Sequence, residues 1–333
     1  MKKHWLLCLV FVVSITHATT KPEKLSVALD WFINPDHAPL IVAQQQGFFK
    51  EQGLEVELLS PSDPTDPPKW VTAKKADIGI TYEPEFMEQV DHGLPLIRIG
   101  TLIDKPLDCI VALKESGIKT VEDLKNKKIG MSSSGLTGLM LRSTLAKAHI
   151  KANEVELVNV RYNLMQALLS KKVDAVTGMM RNFEVPQLES LGHPLVTFFP
   201  EDHGVPNYSV LIFIAHTAQI KDNRFPRFLA AIKKAVEYLD NHPQQTWEDF
   251  IKIHPESNNA VNKEAWFSTL PYFAEDPGAL NSNDWRKFAE FMFNNKMIKS
   301  IQPISRYAVV LPEIHDFQLT MNEPPKRHSL LNA

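Results

Sequence analysis

Leu25-Ser26-Val27-Ala28-Leu29-Asp30-Trp31-Phe32-Ile33-Asn34-Pro35-Asp36-His37 is the stretch whose reading decides the fold. The apolar run 25–29 has the length and composition of a buried strand. It delivers an aromatic, an amide and an imidazole (Trp31, Asn34 and His37) to the strand's carboxyl end. In open α/β sheets that end is where ligands bind. A helical segment, 40–52, follows at once, and residues 54–59 then alternate like a second strand.

The plan repeats. Apolar β-like runs recur at 78–81, 96–102, 109–113, 128–131, 156–160, 175–179 and 195–198. Helical segments at 68–75, 84–92, 121–125, 138–148, 165–170 and 184–190 separate most of them. Alternating strands and helices predict parallel sheets of the α/β class. Lys75-Ala76-Asp77-Ile78-Gly79 recurs in kind as Lys172-Val173-Asp174-Ala175-Val176-Thr177-Gly178. Each copy leads to a polar or aromatic corner, Thr81-Tyr82-Glu83 in the first and residues 180–184 in the second. Two similar lobes with a cleft between them are expected. From about residue 223 the pattern turns helical, with segments at 224–239, 243–253, 263–269 and 283–294. The tail from Pro312 is Pro-rich and polar, and loose order is expected there.

The bulk numbers fit this reading. The chain has 333 residues, 44% hydrophobic and 23% charged, which is an ordinary globular composition long enough for two domains. A net charge of −3 points away from nucleic acid and from a polybasic membrane patch. Lys2 and Lys3 precede an apolar core at 5–15, and Thr16-His17-Ala18 offers small residues for cleavage, so residues 1–20 read as a signal peptide. Cys8 lacks the small residues that a lipoprotein needs before it. The mature chain would keep only Cys109, so no intrachain disulfide is expected. Export without a lipid anchor fits a soluble periplasmic protein, and fits a secreted enzyme too. The 12 histidines show no H-x-x-H or H-E-x-x-H spacing, so no metal site is expected.

Residues 29–37, Gly47-Phe48-Phe49-Lys50-Glu51-Gln52-Gly53-Leu54, residues 61–64, 75–79 and Tyr82-Glu83-Pro84-Glu85 together resemble the thiamine-pyrimidine family of solute-binding proteins. So do residues 158–160, 163–164, 167–169, 172–175, 201–202 and 204–208. That family contains binding proteins for formylaminopyrimidine and hydroxymethylpyrimidine precursors, and also pyrimidine synthases. The resemblance implies a type II periplasmic binding protein fold: two α/β lobes, a ligand cleft and two crossover hinge strands. Lobe 1 would comprise residues 25–109 and 213–315, lobe 2 the inserted residues 113–208, and 316–333 a tail. It implies a non-enzymatic periplasmic receptor, monomeric and without cofactor, that hands an aminopyrimidine to an inner-membrane ABC permease.

A flat aminopyrimidine calls for aromatic faces and for a carboxylate or amide on its amine edge. Trp31 and Tyr82 are the stacking candidates, each placed directly after a strand, although a Trp there also caps a core. Glu184, in the corner Asn182-Phe183-Glu184, is the candidate for the amine edge; its bland explanation is a helix-dipole partner, and Asn182 of the same corner is a further ligand candidate. Glu83 and Glu85 compete for that role on lobe 1. Asn34 is a candidate for the ligand's polar side chain. His37 either contacts the ligand or satisfies a backbone group. Ser133 and Ser134 lie in a small-residue loop suited to a formyl oxygen, or simply cap a helix. Tyr208, beside Asn207, either closes the cleft wall or packs at the hinge.

Two other functions compete. A synthase of the same family would carry a lysine and a histidine just after the strand at 78–80, where this chain has Thr81-Tyr82-Glu83-Pro84-Glu85. It would also carry a cysteine-rich motif near 205–213, where this chain has no cysteine. A sulfonate or nitrate receptor would place cationic or N–H donors in the cleft. Here an inward-pointing Arg181 would favour that reading.

Overall fold

The computed structural model describes residues 21–132 and 136–314. The expected signal peptide, Ser133, Ser134 and most of the expected tail lie outside the described residues. Among the described residues ten strands form two five-stranded sheets. The first sheet holds β1 (Glu23–Ala28), β2 (Leu54–Leu59), β3 (Ile78–Thr81) and β4 (Leu96–Ile103), and its order is β2-β1-β3-β10-β4. The second holds β5 (Asp108–Leu113), β6 (Lys128–Met131), β7 (Glu156–Asn159), β8 (Ala175–Met180) and β9 (Leu195–Phe198), in the order β7-β6-β8-β5-β9. The remaining strand, β10 (Leu211–His216), returns to the first sheet. In each sheet the first three strands pair in parallel and the last two pairings are antiparallel. The lobes are therefore topological copies, joined by two crossings of the chain.

The repeated Lys-x-Asp motif has one geometry in both lobes. Lys74 and Lys171 take left-handed φ values of 55° and 56°, which end the preceding helix. Asp77 then accepts from the Ser26 N–H at 2.9 Å, and Asp174 accepts from the Lys128 N–H at 2.8 Å. Each Asp thus ties the turn to the backbone of the neighbouring strand, β1 in the first lobe and β6 in the second. The expected single helix at 40–52 is two, Ala38–Gln45 and Phe48–Glu51. Gly47 between them sits at φ +77°, a conformation that glycine adopts without Cβ strain.

The first lobe carries most of the mass. The helix Arg224–Asn241 buries Phe225, Phe228, Ile232, Ala235 and Leu239 at helical spacing. Phe228 packs edge-on against Phe213 of β10 and stacks on Phe49, at ring distances of 5.1 and 5.6 Å. Trp247, Phe250 and Trp266 of the later helices extend this core. Burying a Phe of this kind stabilises by roughly 1.5–3 kcal/mol. The second lobe packs smaller clusters around Cys109 and Val176 on one face of its sheet, and Ile110 and Leu141 on the other. Among the described residues no helix is long and apolar enough to cross a membrane.

Candidate ligand cleft

The carboxyl ends of β1, β3, β6 and β8 converge where the lobes meet. There Asp30, Trp31, Asn34, Asp36, Tyr82, Ser132, Gly178, Met180, Phe183 and Glu184 enclose a cavity of about 20 Å³. Gly178 borders it at φ +93°. The volume is small for a six-membered ring, so admitting one requires the lobes to part by hinge motion.

Asp30 stands at the floor, buried, between two partners. The Tyr82 hydroxyl donates to Oδ2 at 3.1 Å, and His37 Nε2 lies 3.0 Å from Oδ1. The Asn34 N–H points at His37 Nδ1 at 3.4 Å, which makes Nε2 the proton-bearing nitrogen that donates to Asp30. His37 is fully buried and outside the cavity wall. Its place is that of a backbone and carboxylate partner, the second of the two roles expected for it. Burial, with the Asp30 charge beside it, pushes the Tyr82 hydroxyl well above the usual phenol range. Asn34 lines the cavity but spends its amide locally: Nδ2 donates to Phe32 O at 2.9 Å, and Oδ1 accepts from the Asp36 N–H at 2.8 Å.

Glu184 and Asp36 face the cavity from opposite lobes. The Met180 N–H donates to Glu184 Oε2 at 2.8 Å. Burial raises the Glu184 carboxyl to about 7, with the Asp36 and Asp30 charges adding to the rise. Burial likewise raises Asp36 to about 6, against the hydrogen bond from Asn182. Asn182 Nδ2 lies 2.6 Å from Asp36 Oδ1 and 2.7 Å from Thr269 Oγ1, so one lobe-2 amide is gripped by two lobe-1 side chains. Asn182 is outside the cavity wall and acts as a latch between the lobes.

Trp31 on the cavity wall belongs to an aromatic cluster that spans the lobes. Trp31 lies edge-on to Tyr162 at 4.5 Å, and Phe32, 51% exposed, packs on Tyr162 at the same distance and edge-on to Trp31 at 6.0 Å. The Tyr162 hydroxyl donates across the lobes to Pro61 O at 3.1 Å, and Arg161 pairs with Asp63 at 2.6 Å.

Three other candidates sit elsewhere. Glu83 turns away from the cleft and accepts from the Ser209 N–H at 2.6 Å; burial lifts its carboxyl to about 8. With Tyr208 it borders a separate cavity of about 160 Å³ behind the second crossing. Tyr208 is buried against Phe288 at a ring distance of 5.2 Å, so it packs at the hinge and not on the cleft wall. Glu85 is buried in the first turn of Glu83–Asp91, off the cavity wall, and burial raises it to about 7. Arg181 is held by Glu201 at 2.5 and 3.0 Å and lies over the Phe199 ring, so it does not enter the cleft.

Sequence reasoning passed over Asp30, Asp36, Ser132, Tyr162, Gly178, Met180 and Phe183. Asp30 and Asp36 stood inside the quoted loop, and the acid directly after an apolar strand was the available signal. Tyr162 follows the edge strand β7 closely, and an aromatic just after a strand was the available signal there.

Two lobes of matching topology, with a buried cleft at their strand ends, define a periplasmic-binding-protein fold. The alkanesulfonate-binding protein SsuA from Xanthomonas axonopodis pv. citri superposes with a TM-score of 0.70, covering 87% of this chain and 99% of that one at 13% identity. The chain belongs to the NMT1/THI5-like family, whose model matches residues 34–246. A Haemophilus influenzae protein named for thiamine biosynthesis is 42% identical over 90% of this chain and 96% of its own length. A formylaminopyrimidine-binding protein of Halalkalibacterium halodurans is 27% identical over 81% of this chain and 84% of its own. A 4-amino-5-hydroxymethyl-2-methylpyrimidine phosphate synthase of Aspergillus parasiticus is 29% identical over 81% of this chain and 82% of its own.

Proposed function

We propose that this chain is a periplasmic solute-binding protein that captures a thiamine pyrimidine precursor between its lobes and delivers it to an ABC permease. The ligand is a formylaminopyrimidine or a hydroxymethylpyrimidine, and no bond is made or broken. Residues 1–20 serve as a cleaved export signal, residues 25–109 and 213–315 as lobe 1, and residues 113–208 as lobe 2. Trp31 and Tyr82 hold the ring, and Glu184 reads the amine edge.

The observation that carries this reading is the chemistry of the cavity wall. Asp30, Asp36 and Glu184 supply acceptors, and Trp31, Tyr82 and Phe183 supply ring faces. Among the described residues lining it there is no Lys or Arg. A wall of that kind favours a neutral or cationic, donor-rich heterocycle over a sulfonate or nitrate. The formylaminopyrimidine-binding relative supports the same ligand class. Against a synthase reading stands the corner after β3, where Thr81-Tyr82-Glu83-Pro84-Glu85 offers neither a lysine nor a histidine. Ligand binding works here as differential affinity: the ligand stabilises the closed state, which the permease recognises.

Isothermal titration of residues 21–333 with formylaminopyrimidine, hydroxymethylpyrimidine, thiamine and taurine tests the proposal. Tight one-to-one binding of one pyrimidine is expected. Binding of taurine alone, or of none of the four, overturns it.

A further inference from the structure

We propose that Asp36 is a specificity-determining residue that makes closure of the cleft depend on hydrogen-bond donors carried by the ligand. The inference rests on the aminopyrimidine reading and names a residue beyond Glu184 for it.

Four observations place it. Asp36 is 6% exposed and lines the cavity. Its loop is fixed, because its own N–H is bound by Asn34 Oδ1. Its Oδ1 also accepts from Asn182 of the opposite lobe, so Asp36 stands where the lobes meet. Glu184 borders the same cavity from that opposite lobe, and Asp30 stands close by.

Closure therefore brings Asp36 and Glu184 into one space with no lysine or arginine among the described residues of its wall. Two carboxylates in such a space repel, and burial disfavours each charge further. A carboxylate has about four acceptor sites, so one bond from Asn182 leaves most of Asp36 unused. A ligand that brings an exocyclic NH2 and a protonated ring nitrogen supplies donors to both carboxyls and removes the repulsion. A 4-oxo ring of the same shape presents a carbonyl oxygen at the same place and adds to it. A site that pairs buried acceptors with ligand donors rejects the analogue lacking them far more strongly than shape alone does.

The test uses 4-amino-5-hydroxymethyl-2-methylpyrimidine and its 4-oxo counterpart, titrated into the full protein and two variants. The wild type is expected to prefer the amino ligand by about a hundredfold or more. Asp36→Asn keeps an oxygen for Asn182 and so keeps the latch; its preference is expected to fall at least about tenfold. Asn182→Ala removes the latch and keeps the carboxyl. It is expected to weaken both ligands alike and leave the preference within about threefold of wild type. Thermal melts confirm that both variants are folded. An unchanged preference in Asp36→Asn, or equal loss of preference in both variants, overturns the role of Asp36 alone. Failure of the wild type to bind the amino ligand overturns this inference together with the aminopyrimidine reading.

Discussion

Removing the Asn182 amide should loosen the closed state and shorten the life of the bound complex. In Asn182→Ala two hydrogen bonds disappear, at 2.6 Å to Asp36 and 2.7 Å to Thr269. A bond to a charged acceptor contributes roughly 1.5–3 kcal/mol net, and one between neutral groups roughly 0.5–1.5 kcal/mol. Together the closed state loses about 2–4 kcal/mol, and at 1.4 kcal/mol per decade that is about a thirtyfold to several-hundredfold loss of affinity. Parting lobes hydrate Asp36 again, so the lower end is the firmer figure. The loss should fall on dissociation, because the interface forms after the ligand has entered. Stopped-flow fluorescence reports it, since Trp31 sits in the cleft wall. Small-angle scattering of the ligand-saturated variant should show a larger share of the open form. A folded Asn182→Ala protein whose dissociation rate stays within about threefold of wild type would refute the latch.

Three further outcomes are expected. Trp31→Ala and Glu184→Gln should each weaken pyrimidine binding at least tenfold, about 1.4 kcal/mol, with melting unchanged; unaltered titrations of both remove the site as described. Arg161→Ala should change affinity by less than about fivefold, and less again in high salt, because exposed ion pairs contribute about 0–1 kcal/mol; a loss of a hundredfold would contradict that exposed geometry. Glu83 contributes to the pH dependence of stability, as do Glu85, Glu184 and Asp36, whose carboxyls burial raises in the same direction. The folded pKa of Glu83 is about 8 against an ordinary 4.5, so its contribution is full below pH 4.5 and is lost as pH rises through 8. The protein should therefore melt at higher temperature at pH 6 than at pH 9, and Glu83→Gln should flatten that slope while keeping an acceptor for Ser209. A slope identical in the variant would show that Glu83 is not among the groups responsible.

The sequence carries the local part of this structure openly. The runs at 78–81, 128–131 and 195–198 are the observed strands to the residue, because a short apolar run between turns has one period to read. The Lys-x-Asp turns announced the two lobes by repetition. What stayed hidden depends on contacts distant in the chain. Asp36 and Asn182 are 146 positions apart, and neither side chain advertises the other. Glu83 and Glu85 share a helix turn with Tyr82, yet only the packing of the second crossing aims Glu83 away from the cleft. Gly47 was visible as a glycine, but helix periodicity on both sides of it masked the break.

The pairing order of the first sheet has a consequence for how the chain matures. β10 lies between β3 and β4, so those two strands share no ladder until residues 211–216 arrive. The second sheet needs only residues 108–198, one unbroken stretch. Sheets whose partners are distant in sequence form slowly, because loop closure must come before any pairing gain. The inserted lobe thus completes its ladder from local segments while the outer lobe waits for its central strand. Truncation before Leu211 should leave a chain with one finished half and one exposed, aggregation-prone half.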